Sequence, residues 1–138
     1  MIGIVIVTHG QFAAELLKSA EMIVGSQKNC QTVSVDLDIN PDYISKKIEE
    51  AIKRQGTGDG VLVLTDMFGG TPSNISLSFH EEGVVEVLTG ANLPMLIRAL
   101  NLRKQPDIKL KPMAVAVLEQ ARNSIHLASE LIKGRPTK

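Results

Sequence analysis

The apolar positions of the chain fall into two alternating patterns. Ile2-Gly3-Ile4-Val5-Ile6-Val7-Thr8 and Val61-Leu62-Val63-Leu64-Thr65 are continuous aliphatic runs rich in β-branched residues. Such runs fit strands covered on both faces, as in a parallel sheet. Thr32 to Leu37 and Val84 to Thr89 read as two further strands. Between the strands the spacing becomes helical. Phe12 to Val24 carries Phe12, Leu16 and Ile23, with Ala13, Leu17, Ala20 and Val24, on overlapping faces, and Gly25 stops it. Asn40-Pro41-Asp42 opens a second helix with a cap residue and a first-turn proline. Ile44, Ile48, Ala51 and Ile52 are its buried stripe. Thr71-Pro72 predicts a cap and a first-turn proline for a third helix running to about His80. Gly90-Ala91-Asn92 leads into a fourth, from Leu93 to about Leu102. Arg103 to Lys111 is a polar connection with Pro106, Met113 to Lys133 is mostly helical, and Gly134 to Lys138 is a tail.

Strands alternating with helices imply an α/β fold: three layers, doubly wound, with a mainly parallel sheet and helices on both faces. The polar connection or the tail is a candidate for one more strand. With strand order 2-1-3-4, ligands are expected between strands 1 and 3, beyond their carboxyl ends. The residues there are Thr8-His9-Gly10 and Asp66-Met67-Phe68-Gly69-Gly70-Thr71-Pro72. An imidazole and a carboxylate therefore arrive side by side. A carboxylate on Nδ1 fixes the tautomer and leaves Nε2 free as a nucleophile or base. Gly69 and Gly70 let main-chain amides approach an anion, Thr71 adds a hydroxyl, and a helix begins at the same spot. Together these read as phosphoryl transfer through a phosphohistidine on His9, oriented by Asp66. Thr8, Gly10, Phe68, Ser73 and Asn74 are candidates for the surrounding layer. Phe12, Met22, Met67 and Phe68 read as core residues; Phe12 and Phe68 flank the site in sequence and so suit, as the alternative, an apolar rim for a carrier protein.

Composition narrows the function further. The chain has 138 residues, a soft prior for one domain. Fifteen basic and fifteen acidic side chains cancel, and there is one Tyr, three Phe and no Trp. That argues against nucleic acid, which wants positive charge and stacking platforms. A single cysteine, Cys30, excludes an internal disulfide and a multi-cysteine zinc site, and suits a cytoplasmic protein. No apolar run approaches the ~20 residues of a membrane span, and no signal-peptide pattern is present. His80, beside Glu81 and Glu82, and His126, spaced four residues from Arg122 and Glu130, read as solvated surface histidines. Gly56 to Gly60 precedes a strand instead of following one, so it is not a nucleotide loop. A receiver domain needs an acidic pair after strand 1, where Thr8-His9 stands, and an FMN site lacks aromatic partners.

Ile4-Val5-Ile6-Val7-Thr8-His9-Gly10, Ala20-Glu21-Met22, Asp66-Met67-Phe68-Gly69-Gly70-Thr71-Pro72-Ser73-Asn74 and Gly90-Ala91-Asn92-Leu93-Pro94-Met95 resemble the IIA components of the mannose family of the bacterial phosphotransferase system. The resemblance covers nearly the whole chain, least clearly after about Lys104. It implies a cytoplasmic phosphocarrier, usually a homodimer, that takes a phosphoryl group from the carrier HPr and passes it to a IIB component for sugar uptake. It implies His9 as the phosphorylated residue, Asp66 as its partner, and Gly69, Gly70 and Thr71 as the phosphoryl pocket. The family often has Trp where Phe68 stands and Ser where Thr71 stands; both replacements keep the chemical type. Residues 1–138 read as a single IIA domain with no fused IIB domain. The expected acceptor is then a separate protein, with peripheral association to a membrane IIC/IID complex. No metal or organic cofactor is implied. Two alternatives stay open on the sequence: a regulatory module read through the phosphorylation state of His9, and the phosphotransfer subunit of a dihydroxyacetone kinase.

Overall fold

The computed structural model describes residues 1–133. The order is β1 (Gly3–His9), α1 (Phe12–Val24), β2 (Cys30–Val35), α2 (Pro41–Gln55), β3 (Val61–Thr65), α3 (Thr71–Leu77), β4 (Val85–Thr89), α4 (Leu93–Leu102), α5 (Leu110–Asn123) and α6 (Ala128–Lys133). The four strands form one sheet in the order β2-β1-β3-β4, every pair parallel. The fold is the doubly wound α/β architecture that the alternation of runs implies.

Both strand faces are covered because β1 and β3 have no polar alternation to give to water. Ile4, Ile6, Leu62 and Leu64 pack with Leu16, Leu96 and Met113 beneath α1, α4 and α5. Val5, Val7 and Val63 pack with Ile44 and Ile48 on the other face, beneath α2 and α3. Each such fully buried aliphatic side chain contributes roughly 1.5–3 kcal/mol through removal from water. The central strands are thus fixed from both sides, and so are the residues that follow them.

The helix starts obey local chemistry. Asn40 Oδ1 accepts the Asp42 N–H at 2.8 Å, and Asn92 Oδ1 accepts the Met95 N–H at 2.8 Å, each with a proline (Pro41, Pro94) in the first turn, where its missing N–H costs nothing. Helix α1 lacks such a cap on Gln11, and the buried Thr8 hydroxyl supplies it by accepting the Ala13 N–H at 2.7 Å.

Several expectations shift. β2 begins two residues earlier than Thr32 and ends at Val35, because pairing with Ile4 to His9 sets its register. Leu37 lies beyond it and is exposed. The cap of α3 is Gly70, and Thr71 is already its first residue; the helix ends at Leu77, short of His80. On α1, Phe12 and Ile23 face solvent, while Ala13, Leu16 and Ala20 are buried. α5 starts at Leu110 and places Pro112 in its first turn, where no intrahelical N–H is needed. The expected single helix to Lys133 breaks over residues 124–127, which puts exposed His126 between helices and not on a helical face. Among the described residues no fifth strand forms; 103–109 is a series of turns, and the tail from Gly134 lies outside the described residues.

One buried charge ties the amino edge of the sheet together. Arg103, 3% exposed, follows α4. Its guanidinium donates to the carbonyls of Ile2 at 3.1 Å, Asn29 at 2.9 Å and Lys28, and to Gln27 Oε1 at 3.2 Å. Three main-chain acceptors at the entrances of β1 and β2 are thereby satisfied by one side chain.

Candidate functional site

β1 and β3 are neighbours, so His9 at the end of one and Asp66 just past the other meet at the carboxyl edge of the sheet. His9 Nδ1 lies 2.8 Å from Asp66 Oδ2, and the same oxygen accepts the His9 main-chain N–H at 2.9 Å. Asp66 Oδ1 accepts the Met67 N–H at 3.0 Å. One carboxylate thus holds His9 at two points, ring and main chain, and its own loop at a third.

Burial acts to raise the Asp66 carboxyl, but the main-chain and ring donors of His9 and the Met67 N–H outweigh it and hold it below the usual carboxylate value. An ionised carboxylate has no proton to give. Nδ1 is therefore the donor, and in the neutral ring Nε2 carries the free lone pair. The His9 side chain is 35% exposed and that of Asp66 15%. The carboxylate is anchored inside while the ring stays partly open to solvent.

The loop from Asp66 to Thr71 wraps that edge. A Cβ on Gly70 would lie 3.0 Å from His9 Cε1, 3.4 Å from Met67 Cγ and 3.7 Å from His9 Nε2, so a side chain there would press on the ring. Gly69 has φ +88°, in the left-handed region, with open space where a Cβ would be. Asn74 Nδ2 donates to the Gly69 carbonyl at 3.3 Å and holds the loop against α3. Of the surrounding residues, Thr8 caps α1 and Gly10 donates to the Val35 carbonyl at 3.1 Å. Ser73 is fully buried with no partner for its hydroxyl among the described residues. Thr71 is half-buried at the start of α3. Phe12, Met67 and Phe68 are 44%, 55% and 74% exposed and form an apolar rim at the same edge. The core reading of these residues fails: all three face solvent, and so does Met22 on α1, because the buried face of that helix is carried by Ala13, Leu16 and Ala20.

The remaining candidates do not join the site. Cys30 opens β2, where burial pushes its thiol up to about 11, so it is not a reactive thiolate. His80 stands near Glu82, Glu86 and Lys111, a grouping the sequence does not announce. Its one signal is Glu86, a charge between the valines of a buried strand.

The doubly wound sheet thus carries a carboxylate-held imidazole at its switch point. Residues 3–116 match the EIIA-man family, described as PTS system fructose IIA component. The chain is 32% identical to the PTS system fructose-specific EIIA component of Bacillus subtilis, over 94% of this chain and 88% of that protein. It is 31% identical to the PTS system mannose-specific EIIAB component of Escherichia coli over 99% of its own length, but spans only 41% of that longer protein. Among solved structures, phosphotransferase system component EIIA from Streptococcus agalactiae superposes with a TM-score of 0.80 at 30% identity, covering 94% of this chain and 99% of that one. The mannose/sorbose-specific IIA subunit from Enterococcus faecalis gives 0.78 at 26% identity, covering 91% and 92%. The chain belongs to the mannose-type IIA components of the phosphotransferase system.

Proposed function

We propose that the chain is a phosphocarrier in which His9 Nε2 accepts a phosphoryl group from phospho-HPr and gives it to a IIB component. The observation that carries this reading is the 2.8 Å contact between His9 Nδ1 and Asp66 Oδ2, which leaves Nε2 as the unbound ring nitrogen at an open edge.

The Nε2 lone pair attacks phosphorus, the bond from phosphorus to the donor histidine breaks, and that histidine leaves with the electron pair. The new phosphoimidazole keeps the Nδ1 proton, and its positive charge faces ionised Asp66. Donor and acceptor nitrogens are alike, so transfer is close to reversible and the domain needs only to orient and stabilise. The Gly69, Gly70 and Thr71 segment holds the phosphoryl oxygens by main-chain N–H groups and the Thr71 hydroxyl. The rim of Phe12, Met67 and Phe68 docks the carrier proteins. No resident metal or organic cofactor enters the reaction. The working protein is a homodimer in the cytoplasm that meets a separate IIB protein and, through it, a membrane IIC/IID complex. Among the described residues, no helix is long and apolar enough to cross a membrane, in keeping with that placement. The sugar does not contact this component.

The test is labelling with radioactive phosphoenolpyruvate, enzyme I and HPr, comparing wild type with His9→Ala. Label that is alkali-stable, acid-labile and absent from the variant supports the reading. Labelled HPr with an unlabelled wild-type chain overturns it. Label that forms on His9 but never moves to a IIB protein replaces it with the regulatory reading.

A further inference from the structure

We propose that His80, Glu82 and Glu86 form a site for one divalent cation of the zinc type, on the β4 flank of the molecule and separate from the His9 pair. The connection after α3 folds back tightly. Glu81 bridges to Val85 in antiparallel fashion, and the Val84 and Val85 N–H groups both reach the Glu81 carbonyl, at 2.9 and 2.8 Å. That turn brings together residues that sequence spacing keeps apart. One donor atom from each of the three lies within 4.8 Å of the others. His80 Nε2 is 3.5 Å from Glu86 Oε1 and 4.0 Å from Glu82 Oε2. In a tetrahedral zinc site with bonds of about 2.1 Å, neighbouring ligand atoms sit about 3.4 Å apart. The His80–Glu86 edge already has that length, and Glu82, three-quarters exposed, is free to close the other.

A second observation points to a cation. Glu86 is 7% exposed, yet its Oε2 has no hydrogen-bond partner among the described residues. Its Oε1 is met only at 3.5 Å by His80 and 3.6 Å by Lys111 Nζ. Both contacts are longer than the 2.7–2.9 Å of a charge-assisted hydrogen bond. A buried carboxylate left this way is unfavourable unless a cation meets it directly. Lys111, also 4.0 Å from Glu82 Oε1, is the loosely held competitor. One imidazole nitrogen with two carboxylates suits zinc, whereas calcium takes six or more oxygens and magnesium keeps most of its water. Three protein ligands leave a fourth position for water.

The experiment is calorimetric titration of the EDTA-stripped chain with zinc chloride. The expected result is one zinc per chain, weakened at least tenfold in His80→Ala and in Glu86→Gln, and unchanged in His9→Ala. Because His80 and Lys111 are surface side chains, their variants report without disturbing the core. Lys111→Met removes the competitor and tightens binding several-fold, with zinc raising the melting temperature of that variant more than that of wild type. Absence of saturable binding below millimolar zinc overturns the proposal. So does binding that survives His80→Ala but is lost in His9→Ala, or that weakens in Lys111→Met.

Discussion

His9 and His80 each stand beside a carboxylate, one at 2.8 Å from Asp66 and the other at 3.5 Å from Glu86. Asp66 is saturated: it takes the His9 ring, the His9 main chain and the Met67 N–H. Glu86 is buried, and its Oε2 has no hydrogen-bond partner among the described residues. The first arrangement commits one ring nitrogen and frees the other, which suits a nucleophile. The second commits neither nitrogen and gathers charge around a gap, which suits a ligand. Proximity of His to Glu or Asp is therefore not a site in itself. What separates the two is which hydrogen bonds are already made.

The comparison breaks most sharply by deleting each ring in turn. His9→Ala is expected to lower phosphoryl labelling by about 10³-fold or more, the scale seen when a nucleophile is removed. His80→Ala is expected to change it by less than about twofold, since nothing in its surroundings touches His9. Equal loss in both, by the labelling assay described above, removes the distinction. Asp66→Asn comes next, with initial transfer rates about 10²-fold lower, because a neutral amide neither fixes the tautomer nor faces the cationic intermediate. Gly70→Ala comes third, at about tenfold slower transfer. Its φ of −83° permits alanine, so the cost falls on the ring that the new Cβ meets at 3.0 Å and not on the backbone. Wild-type transfer kinetics in that variant exclude the loop from the site. The smallest effect is in stability. Because the folded carboxyl of Asp66 lies below its usual value, its contribution is present above the unfolded value near ~3.9 and disappears as pH falls through the folded one. Thermal melts of wild type and Asp66→Asn should therefore differ at neutral pH and converge in acid.

Both ends of that comparison bear on what a sequence discloses. His9 and Asp66 are legible because each ends a continuous apolar run, and such runs end where a parallel sheet does. Parallel pairing then requires no side-chain information to bring the two together. The Glu86 cluster depends on a turn at 81–84 that reverses the chain just before β4, and on Lys111 arriving from another helix. Neither follows from local spacing, and His80 accordingly reads as a solvated residue. β2 slips by two residues for a related reason: Cys30 and Gln31 have weak strand character but are held by the register of β1. At α3, Thr71 has the better cap chemistry, yet Gly70 takes the position. The polar cap preference yields there to the closeness of the imidazole. On α1 the aromatic Phe12 sits on the helical stripe by spacing but faces out, and Ala13 takes the buried position beside it.

The Arg103 clamp has a consequence for the order in which the molecule assembles. Its bond to the Ile2 carbonyl joins positions 101 residues apart, and those to the Lys28 and Asn29 carbonyls span 75 and 74. As the chain emerges from the ribosome, β1 and β2 are available first, but the entrances of both strands stay wet until α4 has docked and delivered the guanidinium. The earliest segments to be made are thus among the last to be sealed. A chain stalled before residue 103 would present that edge to chaperones and proteases.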